Sequence, residues 1–362
     1  MRLALAGGGT GGHILPAMAG LDAKRAATGS DLEVRFFGPD NRGESTRVAA
    51  YGVDFERVPA APVRGRNPLQ LARSAVQLAR GVFVAARKLR RFKPDVVFST
   101  GGYGSFPCCV AARLLRVPLI VYLPDVEPGW AVKAERRLAT RIATTTDAAL
   151  SSLPASKTVV TGYPVRPEFL DITRDGARAE LAVPPGERVL LIAGASQGAH
   201  AINEAAFRAL RGFVEEFTVF HVTGPADYDE AAGYAQALGA GLVTRYHVAV
   251  YSEDFPALMA AADPAIMRAG ASVLGELTVA GLPAVLVPGT FAGGHQRANA
   301  GWLADHGAAV VVEEDALRGL ENLVLGLMND EERLAAMAAA AKALARPHAA
   351  HDIAKLCVEM AT

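Results

Sequence analysis

Cysteine is scarce in this chain. There are three in 362 residues, Cys108, Cys109 and Cys357, an odd number without metal-ligand spacing. A disulfide framework and a cysteine-based zinc centre are thereby excluded, and the three are read as reduced, buried small hydrophobes of a cytosolic protein. No run of about 18 uncharged apolar residues occurs, so no segment is expected to span a bilayer. Met1-Arg2 leads straight into an apolar strand without a signal-type apolar region, so secretion is not expected. Short-period repeats and low-complexity linkers are missing. So are a G-x-S-x-G elbow and any His/Cys cluster of zinc type, which argues against hydrolase chemistry of that kind and against a metal.

What is present is a globular composition, 51% hydrophobic and 20% charged, in a chain long enough for two domains. The net charge of zero hides an asymmetry. Residues 1–162 hold 23 Lys and Arg against 12 Asp and Glu; the remainder holds 14 against 25. Only the first half is therefore expected to meet an anionic surface or ligand, with chance plus solubility as the alternative.

Short apolar runs alternate with helical stretches, which predicts parallel sheets covered on both faces. In the first half strands are expected at 2–6, 33–37, 96–99, 119–122, 142–145 and 158–160, with helices at 14–27, 68–91, 106–115 and 131–139. After Gly162–Pro167 the pattern restarts. Strands are expected there at 189–193, 218–222, 244–247, 264–267, 284–288 and 309–312. Helices are expected at 200–215, 227–238, 255–262, 272–280, 296–306, 331–346 and 351–359. The fold class is thus α/β, two doubly wound Rossmann-like domains facing across a cleft.

Two glycine turns each follow an apolar strand and open a helix: Gly7-Gly8-Gly9-Thr10-Gly11-Gly12-His13, and Gly194-Ala195-Ser196-Gln197-Gly198-Ala199-His200. Glycine lets backbone N–H groups approach an anion, and the helix N-terminus adds a favourable dipole. Gly7, Gly9 and Gly12 satisfy the dinucleotide fingerprint, but no acidic residue stands where the ribose of NAD would need it, and Asp40 reads as a turn former. No cofactor is expected. His13, the one ionisable side chain of the first turn, suits a base near neutrality, or a simple phosphate contact. Ser99–Ser105 forms a third turn that either completes an anion cradle or is a plain tight turn. Glu276, one turn into a helix after Arg268-Ala269-Gly270-Ala271-Ser272, is suited to ribose hydroxyls, or is a solvated first-turn acid. His295 and Gln296 are candidates for sugar hydroxyls, Arg166 and Ser196 for phosphate. Asp227-Tyr228-Asp229 is accounted for by N-capping. Residues 64–93 form a basic amphipathic helix suited to an anionic membrane surface, with an ordinary packed helix as the competitor.

Taken together, 7–16 (GGGTGGHILP), Gly101-Gly102-Tyr103, 162–166 (GYPVR), 194–199 (GASQGA), 268–276 (RAGASVLGE) and 282–300 resemble the MurG family of N-acetylglucosaminyltransferases, in glycosyltransferase family 28. The resemblance implies a GT-B fold with an acceptor domain at 1–163, a donor domain at 164–345, and a last helix, 346–362, returning to the first domain. It implies an inverting, metal-free transfer from UDP-N-acetylglucosamine to undecaprenyl-pyrophosphoryl-MurNAc-pentapeptide (lipid I), which gives lipid II. The setting would be the cytoplasmic face of the cell membrane, with peripheral attachment to the anionic inner leaflet and no nucleic acid. By matching motifs, Glu276 would hold the ribose, and Ser196 and Ala271 would lie near the diphosphate. Gln296 and His295 would face the sugar, and Tyr251-Ser252 would flank uracil. Thr10, Gly11, Gly12, Gln197, Arg268, Gly270 and Ser272 would complete the binding loops. His13, Gly101, Gly102 and Tyr103 would line the acceptor site, with His13 or Asp125 as base. Three segments depart from the family: Tyr122-Leu123-Pro124-Asp125 replaces H-E-Q-N, Gly162-Tyr163-Pro164 replaces G-N-P, and Gly294 stands where an acid often precedes H-Q.

Overall fold

The computed structural model describes residues 1–8, 32–41, 43–62, 67–194, 198–289 and 294–361. These divide into two compact units, Arg166–Arg346 and a first unit of Met1–Val165 with Pro347–Thr362. The break falls inside the turn-rich segment that separates the two sequence patterns.

The first unit is built on a seven-stranded sheet of order β3-β2-β1-β4-β5-β6-β7. Its strands are β1 Arg2–Ala6, β2 Glu33–Gly38, β3 Asp54–Arg57, β4 Val96–Ser99, β5 Leu119–Leu123, β6 Arg141–Thr144 and β7 Thr158–Val160. The second unit has six strands in the order β10-β9-β8-β11-β12-β13. They are β8 Val189–Ala193, β9 Thr218–Val222, β10 Tyr246–Ala249, β11 Ala265–Met267, β12 Ala284–Leu286 and β13 Ala309–Val311. Every pairing is parallel. The central strands read as unbroken apolar runs because both faces are covered: LIVYL in β5 and VLLIA in β8 are buried throughout.

The helices follow local rules. Pro68–Phe92 starts with Asn67 accepting from Gln70 N at 2.9 Å and with Pro68 at its first position, and stops at Lys93, which turns left-handed and bonds Leu89 O. Its inner face carries Ser74, Gly81, Ala85, Leu89 and Phe92. Gly81 is required there, since a Cβ would sit 2.0 Å from Pro59 O. The last helix, Ala349–Ala361, belongs to the first unit, where Ile353, Leu356 and Cys357 pack with Leu5, Phe98, Ile120 and Tyr122. All three cysteines are buried thiols.

Several sequence expectations are corrected. The helix expected at 131–139 ends at Glu135, after which the chain turns as far as Ala139. The strand expected at 244–247 begins only at Tyr246, because residues 243–245 form a 3-10 turn. The sequence pattern does not reveal β3 or helices Glu44–Ala49, Glu168–Asp171, Arg174–Glu180 and Leu320–Met328. β3 reads DFER, an edge strand whose charge masks its pattern. The helix expected at 14–27 lies outside the described residues.

Candidate active site

In each unit the strand order reverses beside the first strand, between β1 and β4 and again between β8 and β11. Open parallel sheets bind ligands there, outside the carboxyl ends of the strands. The glycine turns occupy both places. Gly7-Gly8 leaves β1 and Ser99–Ser105 leaves β4; Gly194 leaves β8 and Arg268–Ser272 leaves β11.

At the first switch point the backbones meet closely. A Cβ on Gly38 would lie 2.2 Å from Gly7 O, one on Gly8 would lie 2.8 Å from Pro39 Cδ, and one on Gly104 would lie 3.0 Å from Gly8 Cα. Only glycine admits this approach, which seats the third turn directly on the first. Gly101 and Gly102 are left-handed, with φ of 78° and 90°. Tyr103 is half-buried, as is Asp125 just beyond β5. Asp40 accepts from Ser45 N at 3.1 Å and Ser45 Oγ at 2.8 Å, at the start of helix Glu44–Ala49.

Tyr122, in the segment that departs from H-E-Q-N, is a core residue. Its hydroxyl lies 2.8 Å from Thr145 Oγ1 and donates to Gly162 O at 3.1 Å, tying β5 to the end of the unit. Burial pushes that phenol well above its usual range. His13, Thr10, Gly11 and Gly12 lie outside the described residues, as do Ser196 and Gln197.

At the second switch point Ala271 and Ser272 precede helix Val273–Ala280, next to half-exposed Gly270. One turn in, Glu276 is half-buried. Loss of water raises its carboxyl above the usual range, while the Ser272 hydroxyl and the Arg166 guanidinium oppose the rise. Arg166 is itself steadied by Glu253 O at 3.4 Å and by the Phe169 ring, 5.6 Å from its guanidinium. Arg268 makes structural contacts. Only 8% exposed, it donates to Val287 O at 3.2 Å and pairs with Glu314 at 2.5 Å, tying the ends of β11 and β12 to residues after β13. Gln296 Oε1 accepts from Gly289 N at 2.8 Å, tying the start of helix His295–Asp305 to the end of the strand region before it. His295 lies beside it, and its buried Nδ1 has no hydrogen-bond partner among the described residues. Ser252 is half-buried beside exposed Tyr251.

Asp227 also departs from expectation. Although it precedes helix Tyr228–Ala237, its side chain makes no capping bond. Its carboxylate instead meets His200 Nδ1 at 2.9 Å and Asn203 Nδ2 at 2.7 Å. Asn203 Oδ1 continues to His221 Nε2 at 3.0 Å, and His221 Nδ1 to the Tyr246 hydroxyl at 2.9 Å. Burial holds His221 neutral, its pKa down to about 3. This chain was invisible in the sequence because β9 reads as an ordinary core strand. The buried Glu135 of the first unit was missed as well; its one signal is the i, i+3 spacing from buried Val132. Among the described residues no cluster of acids, His and Cys suits a metal.

The Glycosyltransferase family 28 N-terminal domain matches residues 3–144 and the Glycosyltransferase family 28 C-terminal domain matches residues 189–353. The chain belongs to glycosyltransferase family 28. It is 38% identical to a protein of Desulforudis audaxviator (strain MP104C), covering all of this chain and 99% of that one. It is 36% identical to one of Roseiflexus sp. (strain RS-1), over 98% and 94%. Both carry the name UDP-N-acetylglucosamine--N-acetylmuramyl-(pentapeptide) pyrophosphoryl-undecaprenol N-acetylglucosamine transferase. The crystal structure of MurG from Acinetobacter baumannii superposes with a TM-score of 0.78 at 27% identity, over 99% of each chain. That of UDP-GlcNAc 2-epimerase from Neisseria meningitidis, at 15% identity and a TM-score of 0.68, shares the fold alone. The fold is GT-B and the chain is a glycosyltransferase.

Proposed function

We propose that this glycosyltransferase moves N-acetylglucosamine from UDP-N-acetylglucosamine to lipid-linked MurNAc-pentapeptide, with inversion at the anomeric carbon. The unit 166–346 holds the donor and the unit 1–165 holds the acceptor. One observation carries the reading: Glu276 presents a recessed carboxyl, countered by Arg166, at the second switch point of a chain alignable end to end with relatives named for this transfer.

In this mechanism Glu276 accepts the two ribose hydroxyls, and the amides around Ala271 and Ser272 receive the diphosphate at the helix N-terminus. Arg166 and Ser196 add donors to the phosphates. His295, Gln296 and the loops holding Gly270 and Gln197 bound the sugar, while Ser252 flanks the base. His13, with Asp125 as the alternative, takes the proton of the acceptor hydroxyl as its oxygen attacks C1. UDP departs, and the negative charge growing on it meets fixed N–H dipoles and Arg166. Thr10, Gly11, Gly12, Gly101, Gly102 and Tyr103 line the acceptor diphosphate.

The acceptor is a lipid, and helix Pro68–Phe92 suits its membrane. Leu69, Val76 and Phe83 recur every seven residues and are 63%, 71% and 71% exposed. Arg73, Arg80 and Arg87 follow each by four residues, so an arginine row flanks the apolar row on one side of the helix. None of the three arginines makes an ion pair with a described residue. Apolar insertion beside basic headgroup contacts is the pattern of peripheral attachment to anionic lipid. Among the described residues no helix is long and apolar enough to cross a membrane.

The test is UDP release with a lipid I analogue. The wild type is expected to release UDP only when the acceptor is present, and His13→Ala to lose at least about a hundredfold in kcat. Consumption of UDP-N-acetylglucosamine without acceptor would mark an epimerase instead.

A further inference from the structure

The carboxyl of Glu135 is fully buried at the end of helix Trp130–Glu135. Its two oxygens hold the two ends of the Ser99–Ser105 turn. Oε2 lies 3.2 Å from Ser99 Oγ, and Oε1 lies 2.8 Å from Ser105 Oγ. Ser99 Oγ also accepts from Gly101 N at 3.1 Å, and Ser105 Oγ donates to Gly102 O at 2.8 Å. The same helix touches the turn a second time, because Val132 Cγ2 sits 2.9 Å from where a Cβ on Gly101 would be.

Counting protons decides the state of the acid. Ser105 has one hydroxyl proton but two oxygens at 2.8 Å, Gly102 O and Glu135 Oε1. Were Glu135 a carboxylate, one of these short contacts would join two acceptors. With a proton on Oε1 every contact has a donor: Glu135 O–H gives to Ser105 Oγ, and Ser105 O–H gives to Gly102 O. On the other side Gly101 N–H gives to Ser99 Oγ, and Ser99 O–H gives to Oε2. We propose that Glu135 is a positioning residue, a neutral carboxylic acid that closes a hydrogen-bonded ring around Gly101-Gly102 and so shapes the turn that receives the acceptor diphosphate.

The surroundings fit. Cys108 and Cys109 of helix Phe106–Leu115 face the acid, with the Cys109 thiol within hydrogen-bond reach of both Glu135 and Ser99. Lys88 of helix Pro68–Phe92, which acts on Cys108, is bound to Glu56 at 2.5 Å. No described cation compensates a carboxylate at Glu135. Burial accordingly pushes its pKa up to about 8, against the opposing bonds from Ser105, Ser99 and Cys109. Above that range the ring loses its proton and the turn loses its closure.

The acceptor part of this inference rests on the reading given under Proposed function; the clamp itself does not. The experiment compares wild type, Glu135→Gln and Glu135→Leu from pH 6 to 10. Difference infrared spectroscopy follows the protonated carboxyl, and amide exchange corrected for intrinsic rates follows Gly101. Wild type is expected to show an acid carbonyl band absent from Glu135→Gln, titrating near pH 8, with Gly101 protection lost in parallel. Glu135→Gln, whose amide both donates and accepts, is expected to keep that protection across the range. In kinetics Glu135→Gln keeps the acceptor KM and loses its alkaline rise, whereas Glu135→Leu raises acceptor KM about tenfold and leaves donor KM within twofold. A Glu135 carboxylate band already present at pH 6 in the wild type minus Glu135→Gln difference, or Glu135→Gln behaving as Glu135→Leu, overturns the proposal. If no acceptor is turned over at all, the functional reading fails, while the infrared and exchange results still decide the clamp.

Discussion

The two sheets of this chain share a topology and solve the same local problem with opposite chemistry. Each brings a glycine turn and a second loop to its switch point, and each buries an acid beside them. In the first unit the acid is Glu135, ringed by two hydroxyls and thiols, with no described cation beside it. In the second it is Asp227, met by His200 and the Asn203 amide. The first arrangement favours a proton on the acid. The second raises the pKa of His200 instead, through its hydrogen bond and charge attraction to Asp227. A lone buried acid shapes a neutral turn, whereas a paired one joins a polar chain that runs on to His221 and Tyr246. The difference matches the work proposed for each half. In the proposed reading the donor is met by the charged side chains Arg166 and Glu276, whereas the acceptor diphosphate is met by backbone and hydroxyls, with His13 or Asp125 kept for the proton.

The largest effect expected is steric. Gly38→Ala drives a Cβ to 2.2 Å from Gly7 O, and Gly198→Ala drives one to 2.1 Å from Thr223 O at a φ of 79°. Each is expected to destabilise by more than about 2 kcal/mol. In calorimetry Gly38→Ala should lower the transition of the first unit and Gly198→Ala that of the second. A single shared transition, shifted equally by both, would show the units to be energetically inseparable.

Glu276→Ala comes next. Losing the carboxyl from the ribose site is expected to raise the UDP-N-acetylglucosamine KM about 10- to 100-fold, roughly 1.4–2.7 kcal/mol, with the acceptor KM unchanged. It is the counterpart of the Glu135 variants, and steady-state kinetics on both substrates checks it.

The pH dependence also separates the halves. The pKa of Glu135 is higher in the folded chain, so its contribution to stability is complete below its ordinary value of 4.5 and declines as pH rises to about 8. Urea titrations of wild type and Glu135→Gln across that window are expected to diverge, the wild type losing more stability than the variant. His200 has the same sign: its stabilising pair with Asp227 is complete below the ordinary pKa of 6.5 and fades as pH rises through the raised value. Because His200 is mostly exposed, His200→Ala is expected to cost about 0.5 kcal/mol or less.

The smallest expected effect on stability lies on the outer face of helix Pro68–Phe92. Phe83→Ser with Arg80→Glu is expected to leave unfolding within about 0.5 kcal/mol, since both are exposed. The pair should abolish flotation with vesicles containing anionic lipid. Unchanged flotation would leave the membrane reading without support.

Much of the fold was legible because parallel strands buried on both faces must be apolar. β1, β4, β8 and β9 fall where their mostly apolar, buried runs begin and end. β3 was hidden by its edge position and its DFER sequence. Candidate site positions are legible where glycine marks a loop at a switch point, as at Gly101, Gly102 and Gly270. Their chemistry is less so. Arg268 reads as a binding-loop residue after a strand, whereas its partner Glu314 is 46 positions away in the chain, a separation that no local pattern encodes. Glu135 sits among basic and apolar neighbours and was passed over, because only the fold brings Ser99 and Ser105 to it.

The division of labour between the halves is tested most directly by amide exchange with and without UDP. Protection is expected in 268–276 and around Gly289 and His295, with 99–105 unaffected. Protection of 99–105 by UDP, with 268–276 left untouched, would contradict the account.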